Sequence, residues 1–226
     1  MARTARIVVP GVSYHVTQRG NNRQDVFFVD DDRRVYLDIL KEQSAKYGLE
    51  IQGWCLMSNH IHLIGQPLSE DSLAKAAGRT HWLYTQYVNR LHGRSGHLWQ
   101  NRFYSCMLSP MHFFSAMRYI ESNPVRARMC RAAWSYPWSS AAAHVDGHDS
   151  TGLLDMNGWH KLAQGMDWRE VLKQRQEAEE VSAIRSCTNR GRPLGSDSFL
   201  SKIEKTIGRR LRPLPVGRPK KEELNR

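Results

Sequence analysis

Val12 to Gln18 is rich in β-branched and aromatic side chains and runs into the turn signal Arg19-Gly20-Asn21-Asn22, which predicts a first strand. Asp30, Asp31 and Asp32 then open an amphipathic stretch to about Tyr47. Val35, Leu37, Ile39 and Leu40 are among its apolar positions and Gly48 is its stop, the pattern of a helix. Two apolar runs, Leu49 to Met57 and His60 to Gln66, are separated only by Ser58-Asn59, so they predict two strands of an antiparallel hairpin. Ser69 is placed to cap a long helix through about Leu91, with Gly93 and Gly96 ending it. Leu98 to Leu108, with Trp99, Phe103 and Tyr104, predicts another strand. Ser109-Pro110 supplies a cap and a proline at the first helical position, and this helix runs through Phe113, Met117 and Ile120 to about Asn123. The order β-α-β-β-α-β-α is that of an α+β, ferredoxin-like split β-α-β sandwich, an antiparallel sheet with helices on one face.

After Pro124 the pattern changes. Trp134-Ser135-Tyr136-Pro137-Trp138 is an aromatic and proline connector, Ser139 to Val145 predicts a short helix packed on the core, and Asp146 to Thr151 is polar. A boundary there divides the chain into residues 1–150 and a helical, basic extension, 151–226. Within the extension Trp159 to Gln164, Asp167 to about Arg185, and Asp197 to Gly208 predict helices, the last with Phe199, Leu200, Ile203 and Ile207 inward. Arg209 to Arg226 is expected to be disordered when alone.

Charge adds a partner to this picture. The formal net charge is +11, and Arg185 to Arg226 holds twelve Lys and Arg against four Asp and Glu, a local +8. Such a segment favours a polyanion, with DNA or RNA the commonest; a solubility tail is the alternative. The apolar runs fall far short of the roughly 20 residues that span a bilayer, and the stretch after Arg6 is too short for a signal peptide. A cytoplasmic, nucleoid-associated protein with no membrane partner is therefore expected. Cys55, Cys106, Cys130 and Cys187 are scattered without a C-x-x-C pair, so buried free thiols are expected rather than a zinc knuckle or disulfide framework.

Two spacings carry candidate chemistry. His60 and His62 alternate on a predicted strand, so both imidazoles project from one face while Ile61 points to the other, as two ligands of one divalent ion would. Ordinary hydrogen-bonded histidines have the same spacing. A histidine-triad hydrolase would need a third histidine where Ile64 stands. Tyr119 and Asn123 are four apart, which stacks a phenol and an amide on one helix face. A phenol ionises near pH ~10 and needs a cation to act as a nucleophile at neutral pH; Arg118, Arg126 and the metal could provide that field. The Asn123 amide oxygen could complete a His, His, Asn set suited to Mg²⁺ or Mn²⁺. The structural alternative makes Tyr119 a core aromatic and Asn123 a helix cap before Pro124.

The chain resembles the single-tyrosine HUH transposases, and among them the REP-associated tyrosine transposases. The resemblance rests on Tyr14-His15-Val16-Thr17-Gln18-Arg19-Gly20-Asn21, Met57-Ser58-Asn59-His60-Ile61-His62-Leu63, Gly96-His97-Leu98-Trp99-Gln100-Asn101-Arg102-Phe103 and Tyr119-Ile120-Glu121-Ser122-Asn123-Pro124-Val125-Arg126-Ala127, in that order, over roughly residues 5 to 145. It implies that His60 and His62 are the histidines of the HUH motif, that Tyr119 is the nucleophile and that Asn123 stands where the family places a polar third ligand. The implied reaction is the cutting and rejoining of single-stranded DNA through a 5′-phosphotyrosine. Ser58 departs from the proline frequent in relatives, and the extension after Thr151 is absent from the shortest of them.

The family binds REP-type stem-loops, so Arg19, Asn21, Asn22 and Arg23 after the first strand are expected at DNA, together with Arg102 and Arg126. Arg190-Gly191-Arg192-Pro193 and Gly217-Arg218-Pro219-Lys220 resemble the core of an AT-hook, an extended basic segment for a narrow minor groove; general phosphate attraction is the alternative. Relatives include monomers and homodimers that exchange their tyrosine helices. A hairpin-binding protein without cleavage activity is the rival function.

Overall fold

The computed structural model describes residues 7–212. Four antiparallel strands, β1 (Tyr14–Arg19), β2 (Leu49–Leu56), β3 (His60–Pro67) and β4 (Tyr104–Met107), form one sheet in the order β2-β3-β1-β4. Helices α1 (Asp30–Tyr47) and α2 (Ser72–Leu91) lie between them in sequence. The chain continues through α3 (Pro110–Glu121), α4 (Asn123–Arg126), α5 (Ala141–Asp146), α6 (Met156–Leu162), α7 (Trp168–Lys173), α8 (Ala178–Arg190) and α9 (Asp197–Ile207). Among the described residues no helix is long and apolar enough to cross a membrane.

Strand alternation decides what each face of the sheet holds. Tyr14, Val16, Ile61 and Leu63 face α1 and α2, in a core with Tyr36, Leu40, Leu73 and Tyr84. On β2 the phase shifts at a bulge between Ile51 and Gly53, so Leu49 and Ile51 before it and Trp54 and Leu56 after it all reach this same core. The sequence pattern places helices on one face, and α1 and α2 take it. The opposite face also carries helices. There Cys55, Ile64 and Cys106 pack under Met117 and Ile120 of α3, with Trp159, Trp168, Leu172 and Ile184 of α6, α7 and α8 in the same core. Gly53 makes that second layer close: a Cβ there would meet the Met117 Sδ at 2.3 Å.

Residues after Thr151 contribute to the sheet's borders as well as its cover. Leu154 bridges to Ile51 beside β2, and Leu194 bridges to Leu108 beyond β4. Both edges are thereby partly occupied, which limits strand pairing with other chains.

Several elements differ from the pattern-based expectation. The strand expected over Leu98 to Leu108 is confined to Tyr104–Met107. Before it only the bridge Gly20 to Trp99 forms, while Leu98, Trp99 and Phe103 turn into the α1–α2 core, so their apolar character records burial rather than pairing. The helix expected through Asn123 breaks at Ser122, and Asn123 begins a new turn with Pro124 near its start. The single helix expected from Asp167 to Arg185 is two, α7 and α8, separated by residues 174–177. All four cysteines are free, with Cys55 and Cys106 buried.

The C-terminal end of α3 is anchored by a buried carboxylate. Glu121 is fully buried; it accepts from Trp168 Nε1 at 2.7 Å and from Ser140 Oγ, and pairs with His144 Nδ1 at 2.6 Å. Helix α5 with its N-cap, and helix α7, are thus tied to the helix that carries Tyr119. Replacing Glu121 by Ala leaves those polar groups buried without their acceptor, so a loss of about 3–5 kcal/mol is expected, read as a lower urea midpoint. Trp168→Phe, which keeps the ring and removes one donor, is expected to cost about 1 kcal/mol by the same measurement.

Candidate active site

The sheet delivers the two histidines and helix α3 delivers the tyrosine. Register pairs Thr17 with His62 and Arg19 with His60, so both imidazoles stand on the α3-facing side of the central strands. Their ring centroids are 5.1 Å apart with planes at 86°. Tyr119, one helical turn before Asn123, lies edge-on to His62 at 5.6 Å and to His15 at 5.8 Å. Asn123 Nδ2 is 3.2 Å from His60 Nε2. His60, His62, Tyr119 and Asn123 therefore meet within one chain.

Each imidazole is held by its Nδ1. His60 Nδ1 is 2.6 Å from Asn59 Oδ1, an acceptor, so the hydrogen resides on Nδ1 and Nε2 keeps its lone pair. Asn59 is itself a junction: its Nδ2 donates to the Arg23 carbonyl at 3.1 Å, and its carbonyl accepts from Gly20 N at 2.9 Å. The segment Gly20 to Arg23 is thereby fastened to the His60 hairpin. Only glycine fits at 20, where a Cβ would lie 2.2 Å from the Gln24 carbonyl oxygen. His62 Nδ1 lies 2.9 Å from His15 Nε2, and His15 Nδ1 lies 2.8 Å from Thr188 Oγ1 of α8.

The positive field at the tyrosine comes from Arg126 and Arg185. Arg126 stacks its guanidinium 4.3 Å from the Tyr119 ring centroid, and Arg185 Nε donates to the Tyr119 hydroxyl at 3.3 Å. Arg118, the adjacent residue in sequence, points away and pairs with Glu180 at 2.8 Å. Arg126 Nη2 donates to the Tyr119 carbonyl at 2.6 Å and to Asn123 Oδ1 at 3.2 Å, while its buried Nε and Nη1 have no protein partner. A cavity of about 720 Å³ opens beside this cluster, lined in part by Ser122, Arg126, Arg175, Gln176 and Arg185.

The donor chemistry fits a divalent cation with open positions: two imidazole Nε2 atoms and an amide. Among the described residues no group of three or more His, Cys, Asp or Glu gathers, so Asn123 would have to be the third protein ligand. As it stands its nitrogen faces His60 and its oxygen faces Arg126.

The other expected residues separate into two groups. Arg19 ends β1 opposite His60, and Asn21, Asn22 and Arg23 form one turn next to it, with Asn22 and Arg23 exposed and at positive φ. Arg102, Arg190 and Arg192 meet elsewhere, lining a cleft of about 820 Å³ along β4 together with Arg209, Arg210 and Arg212. The motif Arg190-Gly191-Arg192-Pro193 is folded rather than extended: Arg190 ends α8, Gly191 is its left-handed cap at φ 63°, and Arg192 donates to the Leu211 carbonyl at 2.7 Å. Arg218 and Lys220 lie outside the described residues. Of the aromatics on the expected strand, Trp99 and Phe103 are buried and Tyr104 is exposed. His15, Thr188 and Arg185 are the site neighbours that spacing did not reveal.

Burial lowers the pKa of all three histidines, to about 4 for His60 and about 3 for His15, with nearby arginines adding to the effect at His60 and His62. They are neutral at pH 7, as metal ligands must be. The unfolded chain takes up protons on them below about pH 6.5, whereas the folded protein does so only nearer pH 4 and below. Their contribution to stability is therefore complete above about pH 6.5 and falls as pH drops toward 4. Urea midpoints measured from pH 7.5 to 4.5 are expected to fall, and His60→Asn to make that fall shallower.

The family model described as transposase, IS200-like, matches residues 8–123, just over half of the chain. Among solved structures, that of a REP-associated tyrosine transposase bound to a REP hairpin is 18% identical, with a TM-score of 0.56 over 69% of this chain and 90% of that one. A proposed transposase from Deinococcus radiodurans R1 is 19% identical, with a TM-score of 0.38 over 57% of this chain and 92% of that one. No curated protein matches. The first structure shares the fold described above, and the family match spans the sheet, both site histidines and the tyrosine helix through Asn123: the chain belongs to the IS200-like transposases.

Proposed function

We propose that the protein cuts and rejoins single-stranded DNA next to hairpins of the REP type, with Tyr119 as nucleophile and Mg²⁺ or Mn²⁺ as cofactor. The observation that carries this reading is the edge-on packing of Tyr119 on His62, ring centroids 5.6 Å apart, with Arg185 on its hydroxyl. Hairpin DNA is proposed because the structural relative was solved with one bound. All four site residues meet within one chain, which supports a site assembled in cis, whether in a monomer or a homodimer.

In the reaction the Tyr119 oxygen attacks a backbone phosphorus. A Tyr–O–P bond forms, the P–O3′ bond breaks, the 3′-oxygen leaves as a hydroxyl, and the 5′-phosphate stays on the protein. One diester replaces another, so attack by a 3′-hydroxyl reverses the step without a nucleoside triphosphate. Arg185 donates to the Tyr119 oxygen, a preorganised donor at the attacking atom. The two unpartnered N–H groups of Arg126 are suited to non-bridging phosphate oxygens, and a phosphate there would remove their burial cost. His60, His62 and, after a half-turn of its amide, Asn123 would hold the cation, which when bound polarises the scissile phosphate. The arginine-lined cleft along β4 gives the backbone of bound DNA a second, sequence-independent contact.

The rival reading, a hairpin-binding protein that does not cut, is favoured by the lack of a third His, Cys, Asp or Glu ligand among the described residues. A hairpin with a single-stranded flank, incubated with Mg²⁺ or Mn²⁺ and run on a denaturing gel, separates the two. A covalent adduct is expected from the native protein and none from Tyr119→Phe, which should bind the hairpin nearly as well; a native protein that forms no adduct with either metal supports the rival. Arg185→Gln is expected to slow adduct formation by about 10²–10³, the loss seen when one preorganised donor is removed. For the cleft, Arg102→Gln with Arg190→Gln is expected to make the slope of log affinity against log salt shallower by roughly 0.7–0.9 per arginine. An unchanged slope would exclude the cleft from binding.

A further inference from the structure

We propose that Thr188 and His15 are positioning residues that fix the tautomer of His62, so that its Nε2 lone pair faces the active site. The inference deepens the metal reading of that site and rests on it for its functional meaning. Its physical basis is a directed line of hydrogen bonds running from helix α8 through β1 to β3.

The direction is set at the helix end. Thr188 Oγ1 lies 2.8 Å from the Ile184 carbonyl, which can only accept, so the single hydroxyl hydrogen is committed there. The Thr188 oxygen is then an acceptor for His15 Nδ1 at 2.8 Å, which places the imidazole hydrogen of His15 on Nδ1. His15 Nε2 is left with a lone pair, and at 2.9 Å it can only accept from His62 Nδ1. The hydrogen of His62 therefore lies on Nδ1, and Nε2 is a lone pair. The His15 and His62 rings are 17° from parallel with centroids 5.1 Å apart, a separation that fits an end-to-end N–H···N bond of 2.9 Å.

The opposite assignment shows what the relay prevents. If the threonine hydrogen pointed at His15, the hydrogens of both rings would move to Nε2, and His62 would present an N–H to the site instead of a lone pair. No cation can be bound by that face. Thr188 is almost wholly buried, at 1% exposure, as is His15, so water does not compete for these bonds. His60 needs no such relay, because Asn59 beside it accepts its Nδ1 hydrogen directly. Outer hydrogen bonds of this kind orient metal-binding histidines in general, and removing one typically weakens metal affinity by about 10–100-fold. Thr188 lies three residues after Arg185 on α8, so one face of a helix beyond residue 150 supplies a contact to the tyrosine and a contact to the histidine.

The test uses the full chain labelled with ¹⁵N-histidine. Long-range proton–nitrogen correlation spectra of the metal-free protein are expected to show His62 as the Nδ1–H tautomer. In Thr188→Val, which keeps the shape of the side chain and removes the hydroxyl, His62 is expected to populate the Nε2–H form. Mn²⁺ affinity followed by electron paramagnetic resonance is expected to fall about 10–100-fold in Thr188→Val and to recover in Thr188→Ser. A native protein with His62 in the Nε2–H form, or a Thr188→Val protein with an unchanged tautomer, would overturn the proposal. A native protein with the expected tautomer that takes up no Mn²⁺ would support the relay while contradicting the metal reading of the site.

Discussion

His60 and His62 stand, with His15, on a sheet face that also carries the second core, and the rest of the molecule is arranged around that constraint. A polar ring buried among apolar side chains needs a hydrogen-bond partner, yet a ring that is to bind a cation must keep one nitrogen free. His60 and His62 meet the first demand through Nδ1, one on Asn59 and the other on His15, and Nε2 is left as the lone-pair side, which on His60 faces the Asn123 amide. Burial that would be costly for a charged ring keeps these rings neutral instead. Tyr119 closes over them edge-on, with two arginines at its ring and hydroxyl, so the site is a packed cluster rather than an open bowl.

That packing requires the second helical layer. Helix α3 approaches β2 closely because residue 53 is glycine, and its far end is held by the buried Glu121 with Trp168, His144 and Ser140. Helix α8 then lies across β1 and β4 and brings Arg185 and Thr188 to the tyrosine and to His15. Sheet geometry sets where the histidines are, and helices from the second half of the chain set how they and the tyrosine are held. The basic cleft along β4 follows from the same docking, since it lies between the sheet edge and the end of α8.

Much of this was legible in the residues. Alternation put His60 and His62 on one face, a four-residue spacing put Tyr119 beside Asn123, and the hairpin at Ser58-Asn59 formed as its length required. Periodicity reports that a residue is covered without naming what covers it. For that reason Leu98 to Phe103 read as strand although those side chains enter a helical core, and the second helical layer over the sheet went unseen. Arg118 was a reasonable cation for Tyr119 by proximity in sequence, but its side chain turns to Glu180, and Arg185, 66 positions away, takes its place. The His15 to Thr188 contact spans 173 positions, a separation at which a single sequence carries no spacing signal.

The central claim is that the phenol packed against His62 is the atom that takes the DNA. It is tested most directly by digesting the protein after reaction with hairpin DNA and divalent metal, and locating the nucleotide by mass spectrometry. Trypsin cuts after Arg118 and Arg126, so a peptide from Tyr119 to Arg126 carrying a phosphate-linked nucleotide on Tyr119 is expected. A nucleotide on Tyr104, on any other residue, or on none would contradict it.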